Sequence, residues 1–163
     1  MINTIKVKKY SDIIEEYAAV AAITPGMLVE LTSAGKVQKH STAGGNAIPM
    51  IALEDELQGK GIADAYIAND QVQVWVSGRG DVALMLLNDG QNVAIGDLLM
   101  SAGNGMVTKY VAESWESNDA QQANTLYPNL IIGQALEAQD LSTLEGSESS
   151  LEENSQYIKV RIW

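Results

Sequence analysis

The chain has 163 residues, 46% of them hydrophobic, with no cysteine, one histidine and a net charge of −11. That length fits one domain that buries its own core without disulfides, and one histidine with no cysteine leaves no ligand set for a zinc site. The acidic surface disfavours wrapping a nucleic-acid backbone, and no apolar run approaches the roughly 20 residues of a membrane-spanning helix, so neither a nucleic acid nor a membrane is an expected partner.

Residues 1–22 read as an N-terminal arm outside the main domain. Thr4 to Lys8 alternates apolar and polar residues as an edge strand does. Ser11 is placed to cap a helix over residues 12–22, and the same stretch also reads as a strand ending before Pro25. The favoured expectation is an arm ordered by contact with something else.

From residue 23 onward the sequence repeats itself. The first copy runs from Ile23 through Gly26, Met27, Leu28 and Val29 to Gly35, Lys36, Val37 and Lys39. The second runs from Val93 through Gly96, Asp97, Leu98 and Leu99 to Gly105, Met106, Val107 and Lys109. Gly26 and Gly96 are expected to turn the chain at the head of a strand, and Gly35 and Gly105 to form tight turns between two strands, so each copy predicts a β-hairpin. Ala52-Leu53-Glu54 and Ala135-Leu136-Glu137 follow the two hairpins, and Gln71 to Val76 and Tyr157 to Trp163 supply strands of period two. The unit is therefore hairpin, short strand, loop and closing strand, present twice, over residues 23–80 and 90–163. The predicted fold class is all-β: a compact small barrel, β-tulip-like or β-clip-like, in a single β domain over residues 23–163 with an extended arm before it. Ala83 to Asn88 is apolar at successive positions and reads as a buried strand or a short helix. Residues 140–155 are rich in Ser and Glu and read as an exposed, mobile acidic loop.

Catalytic equipment is sparse. His40 sits in a Lys-His-Ser-Thr stretch with no nucleophile elbow near it and reads as a surface-loop histidine. Glu54-Asp55-Glu56 and Glu15-Glu16 read as water-facing acids in polar segments, without the ligand spacing of a calcium loop. Gly26 to Val37 lacks the glycine spacing and the Ser or Thr of a phosphate loop. Arg79-Gly80-Asp81 matches the tripeptide of some adhesion ligands, and its simpler meaning is a turn after the preceding strand. No catalytic residue, cofactor or metal is expected, and the reading is non-enzymatic. Charge is uneven: no basic residue lies between Lys109 and Lys159, while Lys6, Lys8 and Lys9 mark the N-terminus. A solvated acidic face is one reading; attraction between opposite ends of neighbouring copies is the other.

The stretch Ile23 to Val37, with Ala52 to Gly61 and Gly90 to Asp97, resembles the small head-decoration, or capsid cement, proteins of tailed bacteriophages. The resemblance covers Ile13 to about Tyr110 and fades through the acidic region beyond. It implies a β-tulip-like domain on the outer capsid surface of a virion, made in the host cytoplasm. It also implies the major capsid protein as partner, a homotrimeric state, and an arm whose Lys6, Val7, Lys8, Lys9 and Tyr10 touch a neighbour. Rival readings are another virion part, such as a tail or head-fibre component. The Gly96-Asp97 turn is also similar to that of β-clip domains, which include carbohydrate-binding modules and enzymes.

Overall fold

The computed structural model describes residues 4–9, 13–112, 127–142 and 156–163. In chain order the strands are β1 (Lys6–Lys8), β2 (Ile14–Ala18), β3 (Val29–Leu31), β4 (Val37–Lys39), β5 (Met50–Ala52) and β6 (Gln71–Val76). They continue with β7 (Val82–Leu86), β8 (Asn92–Val93), β9 (Leu98–Ser101), β10 (Val107–Lys109), β11 (Ile131–Ala135), β12 (Gln139–Asp140) and β13 (Tyr157–Ile162). A single 3-10 turn, Glu56–Gln58, is the only helical element among the described residues. The protein is all-β, as its period-two segments require.

A six-stranded antiparallel sheet has the order β1-β7-β13-β11-β9-β10, and a three-stranded one the order β2-β6-β5. β3 with β4 and β8 with β12 form two-stranded ribbons. One continuous apolar core joins them, built from both halves: Leu28, Ile51, Leu53, Tyr66 and Trp75 from the first, Leu84, Met85, Leu87, Leu99 and Ile158 from the second. β7, over Ala83 to Asn88 open between strand and helix by sequence, is a strand buried along its whole length, because β1 and β13 flank it on both edges.

The hydrogen bonds of one half recur in the other. The Gly26 N–H donates to the Ala52 carbonyl at 2.8 Å and the Gly96 N–H to the Ala135 carbonyl at 2.9 Å. The Ala52 N–H returns to Met27 and the Ala135 N–H to Asp97; the Leu53 N–H reaches Gln73 and the Leu136 N–H reaches Lys159. Ala52 sits opposite Val74 on β6, and Ala135 opposite Val160 on β13. β3 and β4 thus answer to β9 and β10, β5 to β11, and β6 to β13.

The correspondence extends further back than the sequence reading placed it. Ala19 bridges Val37 in parallel as Leu87 bridges Val107, and the Val20 N–H donates to Val37 as the Asn88 N–H donates to Val107. β2 is therefore the counterpart of β7, and the two modules begin at Ile14 and Val82 rather than at residues 23 and 90. The expectation of residues 1–22 as an arm standing outside the domain is corrected accordingly. β2 is a strand paired with β6 of its own chain, and β1 is hydrogen-bonded to β7. Ile5 is fully buried and fixes the segment to the core. Residues 10–12, where the proposed helix cap Ser11 falls, lie outside the described residues, as does residues 143–155 of the acidic loop.

Gly26, Gly35, Gly96 and Gly105 have φ of +86°, +70°, +93° and +85°. Of these four, Gly26 is the position where a side chain has least room. A Cβ there would stand 2.6 Å from the Tyr157 ring and 3.3 Å from the Leu84 carbonyl oxygen. The Tyr157 hydroxyl lies 2.9 Å from both the Pro25 and the Ile62 carbonyl oxygens, so the closing strand of the second module is fastened to the opening turn of the first.

Candidate functional site

Three groups of polar side chains invite a chemical reading. The first is His40 with Ser101 and Glu30. His40 leaves β4 and is 2% exposed, so it is a core histidine and not the surface-loop residue expected from its sequence neighbours. Its Nε2 faces the Asn46 carbonyl oxygen at 2.9 Å, which can only accept, so Nε2 carries the proton. Nδ1, 2.7 Å from Ser101 Oγ, then accepts from the serine hydroxyl, which itself accepts from the Gly103 N–H at 3.1 Å. Glu30 Oε2 stands 3.7 Å from Nε2. Burial works to raise the Glu30 pKa, and hydrogen bonds from Gln38 and Ser41 outweigh it and hold the carboxylate below its ordinary value. The residue types match a Ser-His-acid triad, but Ser101 is 0% exposed and the second imidazole nitrogen donates to the Asn46 carbonyl, with the Glu30 carboxylate farther off. This arrangement ties the first hairpin to the second.

The second group is acidic. Asp64, Asp70, Asp81 and Asp97 each accept from the backbone N–H three residues earlier, at Gly61, Ile67, Gly78 and Ala94, with distances of 2.7 to 3.0 Å. Each aspartate N–H returns to the carbonyl of that same residue, closing the turn from both sides. Arg79-Gly80-Asp81 is one of these turns: Asp81 is 0% exposed, so its carboxylate is not on display to a receptor, and Arg79 lies over the Trp163 ring at 5.9 Å. Asp97 also pairs with Lys109 at 2.7 Å, and that contact, with the Ala94 N–H, holds its carboxyl below the usual range.

The third group surrounds β1. Glu54 and Asp55 are buried, which corrects their reading as water-facing acids. Both Glu54 oxygens accept the Ile5 N–H at 3.2 Å, and Asp55 caps the 3-10 turn by accepting from the Gln58 N–H at 3.3 Å. A shallow depression of about 140 Å³ lies beside Glu54, lined by Thr4, Lys6, Leu53, Glu54, Glu56, Leu57 and Gln73. Small-molecule sites run to roughly 300–1,000 Å³, so this hollow suits surface contact better than enclosure of a ligand. Among the described residues, no three His, Asp or Glu side chains gather in a way that holds a metal ion.

Of the expected contact residues, Lys6, Val7 and Lys8 form β1 and Lys9 follows it, with Val7, Lys8 and Lys9 exposed. Tyr10 lies outside the described residues. β1 pairs Lys6 with Ala83 and Lys8 with Val82 across a register irregularity, at the outer edge of the six-stranded sheet. The structure thus fixes a basic strand on the domain surface.

The chain is similar in structure to a phage head-fiber protein. The solved structure is the head fiber gp8.5 N base of bacteriophage phi29, at 12% sequence identity and a TM-score of 0.53, covering 94% of this chain and 95% of that one. At that identity the likeness is one of fold, and it extends over nearly the whole of both chains. No protein-family model and no curated protein matches the sequence.

The part of the surface that sequence reasoning missed is β2. Ile14, Glu15 and Glu16 are exposed on it, at the outer edge of the three-stranded sheet, and the Tyr17 hydroxyl donates to the Glu15 carboxylate. That bond, with some burial, raises the Tyr17 pKa. The available signal was Ile13-Ile14-Glu15-Glu16-Tyr17 itself: β-branched and aromatic residues with two acids, a composition that suits a half-exposed edge strand.

Proposed function

We propose that this chain is a structural protein of a bacteriophage head, carried on the outer capsid surface. The single observation that supports it most is the full-length likeness of fold to the phi29 head-fiber base. The decoration-protein resemblance of Ile23 to Val37 and Gly90 to Asp97 points to the same part of the virion by an independent route. The polar groups agree with a load-bearing role: His40, Ser101, Glu54, Asp55, Asp64, Asp70, Asp81 and Asp97 all serve backbone turns or inter-module bonds.

Within that role the protein acts as a cement between major capsid subunits. Its partners are the major capsid protein and further copies of itself, in a homotrimer, and many modest contacts repeated over a symmetric lattice supply the stabilisation. The fold likeness favours a second form of the same reading, in which the domain is the capsid-bound base of a fibre. No enzymatic activity is proposed. Sedimentation of the purified protein with expanded capsids, followed by copy counting, separates the two forms. A cement occupies its sites across the lattice and raises the temperature at which heads release DNA. A fibre base binds at sparser positions and leaves that temperature unchanged. Protein that stays in the supernatant refutes both.

A further inference from the structure

The matching ends of the two modules meet at one end of the molecule. The Val76 N–H donates to the Ile13 carbonyl as the Ile162 N–H donates to that of Asp81, and the Ser77 N–H donates to Pro49 as the Trp163 N–H donates to Ile132. Ile13, Pro49 and Ser77 of the first module therefore answer to Asp81, Ile132 and Trp163 of the second. Residues 77–81 are the whole connection between the two sets. They are folded back by the Gly78 N–H on the Asp81 carboxylate at 2.7 Å and by the Gly80 N–H on the Ile162 carbonyl at 2.9 Å. Strand ends of both larger sheets thus hold one surface.

That surface carries side chains the fold does not use. Ser77 is buried and its hydroxyl donates to the Pro49 carbonyl at 2.8 Å, so a module closes with a serine at that place. Its counterpart Trp163 is 62% exposed, and Ile13 and Ile48, at the matching end of the first module, are 54% and 62% exposed. Single exposed apolar residues are ordinary, whereas large ones gathered at one end mark a contact surface. Both arginines of the chain stand here too. Arg79 lies over the Trp163 ring, 5.9 Å from its centre. Arg161 and Trp163 are exposed on either side of buried Ile162, so they share the outer face of β13. Neither guanidinium enters an ion pair among the described residues, and the neighbouring Asp81 is 0% exposed. In a chain of net charge −11, this end presents an indole flanked by two positive charges.

We infer that this end is the face that seats the protein on the phage head, and that it takes an acidic patch of the capsid shell: carboxylates on Arg79 and Arg161, and an apolar side chain against Trp163, Ile13 and Ile48. The inference rests on the head-surface reading and adds to it the face and the chemistry of the partner. Charge selects that partner. A guanidinium binds a carboxylate through two parallel hydrogen bonds and gives up its water more readily than an ammonium does. A basic or neutral patch covering this end would leave two guanidiniums buried without a counter-charge, which is strongly unfavourable. The residue types fit as well, since tryptophan and arginine dominate the energetic centres of protein interfaces, with apolar neighbours that keep water out.

Cosedimentation with expanded, empty bacteriophage heads tests it with three variants. Trp163→Ala, and Arg79→Glu combined with Arg161→Glu, are each expected to weaken binding by on the order of tenfold or more. Their circular dichroism should match the wild type, because all three side chains are exposed. Lys36→Glu combined with Lys60→Glu changes the net charge by the same amount at the opposite end of β6, beside Asn69 and Asp70, and is expected to bind as the wild type does. Added salt should weaken wild-type binding more than that of the arginine variant. If the wild type binds and the Trp163 and arginine variants bind as tightly, the inference is overturned and the head-surface role stands. Equal loss in the lysine variant also overturns it, since the effect is then one of overall charge. A wild type that stays in the supernatant removes the head-surface role and this inference together. A wild-type mass above 17.5 kDa that falls to 17.5 kDa in Trp163→Ala gives the face to a second copy of the chain and overturns the capsid assignment.

Discussion

Removing one oxygen atom, in Tyr157→Phe, tests whether the two modules are held as one unit. The hydroxyl has a single proton, shared between the Pro25 and Ile62 carbonyl oxygens at 2.9 Å each, and it joins the last strand to two loops of the first module. Phenylalanine keeps the ring against Gly26, so no cavity opens and the cost is that of leaving buried carbonyls short of a donor, about 1–3 kcal/mol. For a domain of this size each 1 kcal/mol lowers Tm by roughly 2–4 °C, so a fall of about 2–12 °C is expected in a thermal melt. The melt should stay a single transition with an unchanged denaturant m-value, because one core spans both halves. An unchanged Tm refutes the hydrogen-bond argument. A melt that splits in two refutes the shared core.

Gly26→Ala is expected to cost roughly 2–4 kcal/mol, since a Cβ 2.6 Å from the Tyr157 ring adds a clash to the strain of φ +86°. Gly35→Ala, at φ +70° with no atom within 4 Å, should cost only about 1–2 kcal/mol; equal losses in urea titrations contradict the packing account. Ser101→Ala strips His40 Nδ1 of its donor and the Gly103 N–H of its acceptor, and is expected to lower stability by about 1–3 kcal/mol. A serine-directed fluorophosphonate should leave wild-type Ser101 unmodified, and labelling seen by mass spectrometry overturns the structural reading of that site. Burial first, then nearby acidic charge, pushes Tyr66 and Tyr157 up to about 12 from 10.0. A raised phenol pKa means the fold favours the neutral form. This stabilisation is complete below pH 10 and is lost as the pH climbs towards 12, by on the order of 3 kcal/mol for each ring. Tyrosinate absorbance from these two should appear together with unfolding, and ionisation near pH 10 in a folded protein contradicts it.

The hairpins were legible because their signals are local. A glycine at positive φ, an apolar pair and a second glycine set β3-β4 and β9-β10 without help from the rest of the chain. The first strand of each module was legible only as strand or helix, and the equivalence of the two was not legible at all. Ile14 to Ala18 and Val82 to Leu86 occupy equivalent places, yet one lies on an open edge with exposed glutamates and the other is buried between two strands. Their sequences diverged with their surroundings, so only the hydrogen bonds reveal the kinship. His40, Glu54 and Asp55 misled for a related reason. Polar residues in polar stretches read as surface, whereas here His40 and Glu54 are held in the interior by distant partners, Ser101 and Ile5, and Asp55 by capping the 3-10 turn. Contacts across 49 or 61 residues leave no periodic trace in sequence. Asp81 is the converse case, since its Gly-Arg-Gly-Asp turn is local and needs no receptor to explain it.

The most direct test of the proposed head-surface role is cosedimentation of the purified chain with expanded, empty bacteriophage heads. Saturable binding at a fixed number of copies per head, competed by unlabelled protein, is the predicted result. Protein left wholly in the supernatant, at concentrations where it is folded, contradicts the role.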